Sequence, residues 1–482
     1  MIKDPRHIAL NVLLFWHKAS NTLDNALASY DKEISGLAPK DKKFCNALIF
    51  GVLRQRESID WVIDEFSNVT LGKITVKFIY ILRIALFQMI YMDRVPVFAA
   101  INTSVDIAKK LAGKKKAGFI NAVLRKASAN HTGLALTDSV FPDSILPDKK
   151  KKPANFLSVK YSLPLWLSRK WIQAFGFEQT EKLCRQINTI PAITIRTNTL
   201  KTDRQTLLKS LSLSVKNIKK TDYMPEGLCF TGPNLPISEL EDFKKGLFQV
   251  QDEAAQIITH FLSPRPDEKI LDACAGFGGK TGHIAQIMGN KGTIIAADSG
   301  GRKLESLKKD MQKLGVHIVK TKIINILKTS IKDFEFYFDR VLIDAPCTGL
   351  GVLRRNPDTK WKRSKNDIAR LGAKQKKMLN NAANLVKPGG ILVYAVCSCE
   401  KEENEDVIDN FLGRRKDFSL DKHFLLNNHF IHGKDFLSDK NYKFHKYGQF
   451  ITEKGYLKTY PHISNMDGFF AARLIRSAAG SK

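Results

Sequence analysis

The chain has 482 residues, of which 43% are hydrophobic, so it is long enough for about two to four domains with buried cores. Its 77 Lys and Arg residues exceed its 48 Asp and Glu residues, and the net charge of +29 favours a polyanionic partner such as nucleic acid. The first residues lack the apolar core of a secretory signal, the apolar stretch 78–92 is too short to span a bilayer, and the cysteine count of seven is odd. These features favour a cytoplasmic protein with reduced thiols over a secreted or membrane-spanning one.

Residues 1–136 are predicted to form a helical domain. Apolar residues recur there at helical spacing, as at Ile8, Val12 and Phe15, and the same spacing returns over 78–90. Few strand-like alternations interrupt the pattern. A compact helical bundle with basic loops is therefore expected.

A linker and a second, smaller module are predicted next. Prolines and a run of lysines over 137–153 disfavour a packed element. Residues 154–250 then combine a helical stretch that begins near Leu165 with a strand-like alternation at 192–198. This mixture predicts a small α/β module.

Residues 251–478 alternate short apolar strands with helical stretches, which predicts a parallel sheet with helices on both faces. Strands are expected at 269–273, 293–297, 340–344 and 390–395. Ligands of such sheets lie at the carboxyl ends of the strands, where this chain places polar and sulfur-containing residues. The predicted fold class is α/β: a Rossmann-like domain joined to an all-helical N-terminal domain and a small α/β module.

A glycine-rich turn, 272–282 (DACAGFGGKTG), lies between a predicted strand and a predicted helix. Glycines let the backbone turn tightly and approach a ligand closely. Asp298 ends the next strand, where a carboxylate can accept hydrogen bonds from ribose hydroxyls. The pattern indicates a nucleoside cofactor. A P-loop would need glycine in place of Cys274 and a dinucleotide site would need it in place of Thr281, so both alternatives lack their fingerprint.

Two cysteine motifs follow predicted strands: 344–350 (DAPCTGL) and 394–399 (YAVCSC). We expect Cys347 and Cys397 to lie over the same edge of the sheet. Two thiols beside a pocket for S-adenosylmethionine (SAM) suggest methylation of cytosine. A thiolate that adds to carbon 6 of cytosine makes carbon 5 nucleophilic enough to take the methyl group of SAM. A free thiol has a pKa of about 8.5, so the site must supply positive potential, and Lys280 is the candidate.

Two other interpretations of the cysteines stay open. A lone cysteine is usually a small buried hydrophobe, which suits Cys45, Cys184 and Cys229. It suits Cys347 and Cys397 less well, because polar residues or proline flank them. A metal-binding pair at positions 397 and 399 would need a second Cys or His pair at zinc spacing, and none lies nearby in the sequence.

Longer motifs in a fixed order connect these features. They are VQDEAAQ at 250–256, DAPC at 344–347, GVLRRNPD at 351–358, CS at 397–398, EEN at 402–404 and DGFFA at 467–471. Together they resemble the Sun/Fmu (RsmB-like) family of RNA cytosine-5 methyltransferases. The resemblance extends over nearly the whole chain.

The resemblance implies a role for each site residue. Cys397 would be the nucleophile, Cys347 would assist release of the adduct, Asp344 would hydrogen-bond the cytosine, and Lys280 would lie near the base and the cofactor. SAM would be held by Cys274, Ala275, Gly276, Phe277, Gly278, Gly279, Lys280, Asp298, Asn325 and Asp344. The N-terminal domain would be a NusB-type RNA-binding bundle, which implies small-subunit ribosomal RNA as substrate. A monomer without a membrane partner is expected.

The sequence departs from the family pattern in the cofactor region. Gly276 and Phe277 replace an Ala-Pro pair, Asn325 replaces the usual Asp, and Ser299, directly after Asp298, is also unusual. These changes support an alternative, a catalytically inactive ribosomal-RNA-binding assembly factor of the same fold. Residues 353–365 contain six basic residues around Trp361, so RNA contacts by the arginines are predicted, while Trp361 either stacks on a base or packs in the core.

Overall fold

The computed structural model describes residues 4–18, 21–129, 146–421 and 448–478. It divides into two compact units: residues 1–189 with 353–363, and residues 190–352 with 364–482. Most of the predicted linker lies outside the described residues. Within the described ranges, no helix combines the length and apolar character needed to cross a bilayer.

Helices dominate the first unit, as the apolar spacing predicts. They are α1 (Pro5–His17), α2 (Leu23–Ser29), α3 (Asp31–Ser35), α4 (Pro39–Arg54), α5 (Arg56–Phe66), α6 (Val76–Tyr91), α7 (Val97–Ala129), α8 (Pro153–Lys160) and α9 (Leu165–Ile187). The Asp4 side chain accepts a hydrogen bond from the Arg6 amide and starts α1, with Pro5 in its first turn. Helix α6 buries nearly its whole surface, including Arg83, whose guanidinium forms two 2.7 Å hydrogen bonds with Asp60.

A four-stranded antiparallel sheet opens the second unit. Its elements are β1 (Ile193–Thr197), α10 (Arg204–Leu211), β2 (Lys216–Lys220), β3 (Gly227–Thr231), α11 (Glu241–Lys244) and β4 (Phe248–Val250), and the strand order is β2-β3-β1-β4. Apolar side chains of β1, α10, β3 and β4 form its core. The strand predicted at 192–198 is confirmed as β1.

A larger sheet follows, with helices between its strands. Its elements are α12 (Glu253–Leu262), β5 (Lys269–Asp272), α13 (Gly279–Ile287), β6 (Thr293–Asp298), α14 (Gly301–Leu314), β7 (Val319–Ile323), β8 (Phe338–Asp344), α15 (Thr359–Lys362, in the first unit), α16 (Lys365–Ala383), β9 (Val386–Val396), α17 (Glu405–Arg414), β10 (Phe418–Leu420), β11 (Leu457–Thr459), α18 (Pro461–Ser464) and β12 (Phe469–Arg476). The strand order is β10-β12-β9-β8-β5-β6-β7, with β11 paired to β12.

Five neighbouring strands of this sheet, β9-β8-β5-β6-β7, are parallel. Their carboxyl ends therefore meet at one edge, as predicted. Asp272 is paired with Leu342 two residues before Asp344, and Asp344 is paired with Ala395 two residues before Cys397. Antiparallel pairing of β12 with β9 completes the Rossmann-like sheet.

Candidate active site

The glycine-rich turn joins β5 to α13 in a conformation that favours glycine. Gly276 and Gly278 have φ angles of +55° and +86°. A Cβ atom at Gly278 would lie 2.6 Å from Cγ of Leu307. Asp298 accepts a hydrogen bond from the Gly276 amide at 3.1 Å and another from the Gly300 amide at 2.7 Å. Its carboxylate thus fixes the turn from the end of β6.

The small sheet also supports this turn, through Arg196 on β1. The buried guanidinium donates to the Gly279 carbonyl at 2.9 Å and to Oε1 of Gln249 at 2.8 Å. It also contacts the side chains of Gln251 and Gln286. Burial lowers the pKa of Arg196 to about 9, and the charge of Glu226 partly opposes that effect. Arg196 therefore links the first turn of α13 to the small module.

A cavity of about 250 Å³ opens at the turn. It is lined by Gln251, Ala255, Asp272, Cys274, Ala275, Gly276, Phe277, Gly279, Lys280 and Asp344. Asp272 is buried; one carboxylate oxygen accepts from Thr281 at 2.7 Å, while the other has no hydrogen-bond partner in the described structure. Burial raises the pKa of Asp272 to about 6. An unpartnered buried acid on the wall fits the ammonium group of SAM.

Lys280 lines the cavity and interacts electrostatically with Cys397. Its Nζ is 2.6 Å from Oδ2 of Asp344 and 5.2 Å from the ring centroid of Phe469. Burial alone would lower the pKa of Lys280, but the charge of Asp344 and the hydrogen bond to it raise it, with a contribution from the Cys397 sulfur. Lys280 therefore keeps a positive charge near Cys397.

The two predicted catalytic thiols lie together. The sulfur atoms of Cys347 and Cys397 are 3.3 Å apart, and both side chains are half-buried. The hydrogen bond with Cys397, followed by burial, raises the pKa of Cys347 well above its ordinary value. Cys347 therefore holds its proton and can donate it towards the Cys397 sulfur. By contrast, burial is the main cause of the raised pKa of Cys274 and of Cys399.

The remaining predicted residues lie around this centre rather than on the cavity wall. Gly278 faces Leu307, and Asp298 holds the turn. Asn325 is exposed two residues beyond β7, and its side-chain oxygen accepts from the Leu327 amide at 3.1 Å. Whether Asn325 contacts the cofactor stays a prediction.

Three residues of the cavity wall were not predicted as site residues: Gln251, Ala255 and Asp272. Gln251 and Ala255 belong to the motif at 250–256, and Asp272 is an acid at the end of a buried strand. These were the signals available in the sequence. The motif at 250–256 lines the cavity because α12 packs against the turn, and this packing could not be predicted from the sequence.

The predicted RNA contact by the arginines of 353–365 needs correction at Arg354. Arg354 and Lys360 are 4% and 2% exposed, so these two side chains pack inside the first unit. The Trp361 indole donates a 2.6 Å hydrogen bond to the Leu53 carbonyl, which corresponds to the packed alternative rather than to an exposed stacking platform. Lys360 and Trp361 thus donate to backbone carbonyls that lie far away in the sequence.

One cluster among the described residues has side chains suited to a metal ion: Glu226, His260 and His283. One Glu226 oxygen lies 2.7 Å and 2.5 Å from the Nε2 atoms of the two imidazoles. Ligands of a tetrahedral zinc ion lie about 3.3 Å apart, given metal–nitrogen distances of about 2.0 Å. The cluster therefore has the geometry of a hydrogen-bonded group that ties α12 and α13 to the small module.

Comparisons with known proteins agree with this architecture. A family model described as "16S rRNA methyltransferase RsmB/F" matches residues 259–475. The NusB family model matches residues 3–129, and a Methyltr_RsmF/B-like ferredoxin-like domain matches residues 163–237. These matches cover the helical domain, part of the small module and the large sheet.

Individual proteins are similar over long stretches. A probable ribosomal RNA small subunit methyltransferase B from Synechocystis sp. is 34% identical over 439 residues, covering 91% of this chain and 92% of that protein. The crystal structure of PH0851 has a TM-score of 0.76 at 25% identity and covers 98% of this chain and 99% of that one. NSun6 from Pyrococcus horikoshii, solved with SFG, has a TM-score of 0.53 at 25% identity and covers 64% of this chain and 97% of that one. The chain belongs to the RsmB/F family of 16S ribosomal RNA methyltransferases.

Proposed function

We propose that this protein methylates carbon 5 of a cytosine in small-subunit ribosomal RNA, through a covalent bond between Cys397 and carbon 6 of the base. The observation that carries the proposal is the 3.3 Å separation of the Cys347 and Cys397 sulfur atoms. These thiols lie at the same sheet edge as the glycine turn, with the Lys280–Asp344 pair beside them. This arrangement suits nucleophilic attack on a pyrimidine next to a SAM site.

Each side chain has a chemical task in this reaction. The positive charge of Lys280 favours the thiolate of Cys397, which adds to carbon 6. Cys347 holds its proton and donates a hydrogen bond to the neighbouring sulfur. Once carbon 5 carries the methyl group, a base removes the carbon 5 proton, the carbon 5–carbon 6 double bond forms again, and Cys397 leaves as a thiolate, a release that Cys347 assists by hydrogen bonding. Asp344 accepts hydrogen bonds from Lys280 and, in the complex, from the cytosine edge.

The residues of the turn and the cavity wall fit SAM, which supplies an electrophilic methyl group when bound. We propose that the backbone from Cys274 to Lys280 surrounds its amino-acid part, with the free oxygen of Asp272 receiving the ammonium group. Asp298 and Asn325 would face its nucleoside part. Isothermal titration with SAM tests this assignment, and absence of binding would favour the inactive assembly factor, which the changes at Gly276, Phe277 and Asn325 suggest.

The substrate assignment rests on the family and on the NusB match over residues 3–129. We propose residues 1–136 and 154–250 as RNA-binding domains of a cytoplasmic monomer. Carbon 6 is shielded inside a paired helix, so the target cytosine should be single-stranded or extruded. Equal methylation of a loop oligonucleotide and its fully paired form would contradict this.

The decisive experiment replaces each thiol in turn. Cys347→Ala should trap a protein–RNA adduct, visible by denaturing gel electrophoresis, because attack proceeds while release is impaired. Cys397→Ala should give neither adduct nor product. Cys229→Ala, a cysteine on β3 of the small sheet, serves as the control and should retain turnover. Turnover by Cys397→Ala would show that the roles are wrong.

A further inference from the structure

A buried carboxylate connects the two cysteine loops. Glu403 ends a short helical turn, 401–403, and its side chain is completely buried. One of its oxygens accepts from the Thr348 amide at 2.9 Å and from the Gln375 side chain at 3.1 Å. The other oxygen accepts from the hydroxyls of Thr348 and Ser398, both at 2.5 Å. The carboxylate thus uses both oxygens, and each receives two donors.

The hydroxyl donors to this carboxylate lie next to the two reactive cysteines. Thr348 directly follows Cys347, and Ser398 directly follows Cys397. The two hydroxyls are also 3.4 Å from each other. A single side chain therefore bridges the two loops one residue beyond each reactive sulfur. Any movement of one loop relative to the other would stretch a hydrogen bond to Glu403.

The turn that carries Glu403 is itself held firmly. The Tyr394 hydroxyl donates to the Glu403 carbonyl at 2.6 Å, and the Asn404 side chain donates to the Ser398 carbonyl at 3.2 Å. On the other side, a Cβ atom at Gly372 of α16 would lie 2.5 Å from the Glu402 carbonyl, so this approach requires glycine. The turn that carries the carboxylate is thus held by contacts with β9 and α16.

We propose that Glu403 is a positioning residue that sets the separation of the Cys347 and Cys397 sulfur atoms. The consequence for the reaction rests on the proposed function: adduct formation and adduct release each need the two sulfurs at defined places over one pyrimidine. A misplacement of about 1 Å in an active site can lower the rate about 100-fold. Loss of the bridge should therefore slow both steps while leaving SAM binding unchanged.

Three substitutions separate position from charge. In Glu403→Gln, the amide oxygen can still accept from Thr348 and Gln375, and the amide nitrogen can donate to the two hydroxyl oxygens, so the bridge survives without its charge. Glu403→Asp keeps the charge but is one methylene shorter, so it cannot reach both loops. Glu403→Ala removes the bridge. A positioning role predicts that the rate falls from Glu403 to Glu403→Gln, then Glu403→Asp, then Glu403→Ala. A purely electrostatic role predicts a higher rate for Glu403→Asp than for Glu403→Gln.

The rate of adduct formation is measured in single turnover with excess SAM, in protein that also carries Cys347→Ala. We expect a fall of about 100-fold for Glu403→Ala and of less than about 10-fold for Glu403→Gln. The SAM dissociation constant, measured by calorimetry, should change less than about two-fold, because Glu403 is not on the cavity wall. Glu268→Ala is the matched control: it deprives buried Arg340 of its carboxylate partner at the opposite edge of the sheet.

A second measurement needs neither RNA nor SAM and uses protein with both thiols present. Diamide joins two nearby thiols in a disulfide and takes up their two hydrogens, becoming a hydrazine. Sulfur atoms held 3.3 Å apart should react rapidly, and Glu403→Ala should slow formation of the Cys347–Cys397 disulfide at least about 10-fold, as measured by peptide mass spectrometry. Glu403→Gln should react close to the unmodified rate.

The two measurements distinguish failure of this proposal from failure of the proposed function. If Cys347→Ala with Glu403 intact traps no adduct, the proposed function fails, and the diamide rates still decide the role of Glu403. If Glu403→Ala forms the adduct and the disulfide at unchanged rates, the positioning role is overturned while the function stands. If Glu403→Ala does not fold, the relative rates of Glu403→Gln and Glu403→Asp decide whether Glu403 acts through position or through charge.

Discussion

Two buried lysines, one in each compact unit, have opposite electrostatic environments. Lys280 in the second unit faces the Asp344 carboxylate at 2.6 Å, which keeps its pKa above the ordinary value despite burial. Lys360 in the first unit donates to the carbonyls of Arg54 and Ser162 at 2.9 Å and 2.5 Å. Burial, followed by the charge of Arg54, lowers the pKa of Lys360 to about 7.

The comparison shows what a buried amine can do. A charge next to a carboxylate and a thiol is available to stabilise a thiolate, so Lys280 suits chemistry. An amine that faces carbonyl oxygens satisfies acceptors that would otherwise lie buried without partners, so Lys360 suits structure. We therefore expect substitution of Lys280 to affect the rate and substitution of Lys360 to affect stability.

The largest effect is expected for Lys280→Met, which removes the charge beside Cys397 and leaves Asp344 without this partner. Methyl transfer in single turnover should fall by about 100-fold or more, the usual range when a catalytic charge or hydrogen-bond donor is lost. Some loss of stability should accompany this change, because the raised pKa of Lys280 means that its pair with Asp344 outweighs the cost of burial, so the rate is measured at a temperature where the variant is folded. Rapid quench with radiolabelled SAM measures the rate.

Lys269→Met is the matched control for this change. Lys269 is the first residue of β5, and its ammonium lies over the Phe336 ring, 4.3 Å from the ring centroid. Lys280 lies beyond the opposite end of that strand, after the glycine-rich turn. The same loss of charge at the far edge should leave the rate within about two-fold of the unmodified protein. Equal losses for both variants would show that overall charge, rather than a local interaction with Cys397, accounts for the effect.

Lys360→Met should instead destabilise the first unit. Two buried carbonyls lose their donor, which costs about 2–4 kcal/mol of unfolding free energy. Differential scanning calorimetry of the full chain measures the loss, with exposed Lys110 on α7 giving the control variant Lys110→Met. A shift no larger than that of the control would show that Lys360 is not a structural donor.

The difference in unfolding free energy between the unmodified protein and Lys360→Met should also depend on pH. Between about pH 7 and the ordinary lysine pKa of 10.5, the unfolded chain binds a proton at Lys360 that the folded chain does not. The unfolding free energy of the unmodified protein should therefore rise with pH through this window, and Lys360→Met should lack that part of the rise. The gap between their melting temperatures should widen from pH 7 to pH 9.5; a constant gap would contradict the lowered pKa.

The two lysines also show which features of the structure could be predicted from the sequence. Lys280 could be placed in the site because it follows a glycine turn at the end of a buried strand. Cys347 and Cys397 could be paired because parallel strands end at one edge. The burial of Lys360 could not be foreseen, since its acceptors, the carbonyls of Arg54 and Ser162, lie 306 and 198 residues away in sequence.

A similar limit applies to polar residues of the large sheet. Glu403 belongs to a motif, but its contact with both cysteine loops depends on β8 and β9 being neighbours. The first helices were predictable because apolar spacing reports directly on local structure. A basic run such as 353–365 reports only composition, and composition does not distinguish a solvated face from lysines that bind buried carbonyls.

The smallest effect is expected for Lys365→Ala, which tests whether the last residue of this basic run contacts RNA. Lys365 is exposed at the first turn of α16, where a positive charge opposes the helix dipole, so its removal should not destabilise the protein. Loss of one phosphate contact should weaken binding of a loop oligonucleotide about two- to four-fold and reduce the salt dependence of log K by no more than about 1. Fluorescence anisotropy across 50–200 mM salt measures both quantities. Lys387→Ala at the start of β9, where the ammonium pairs with Asp339, is the control; equal behaviour of the two variants would exclude Lys365 from the RNA surface.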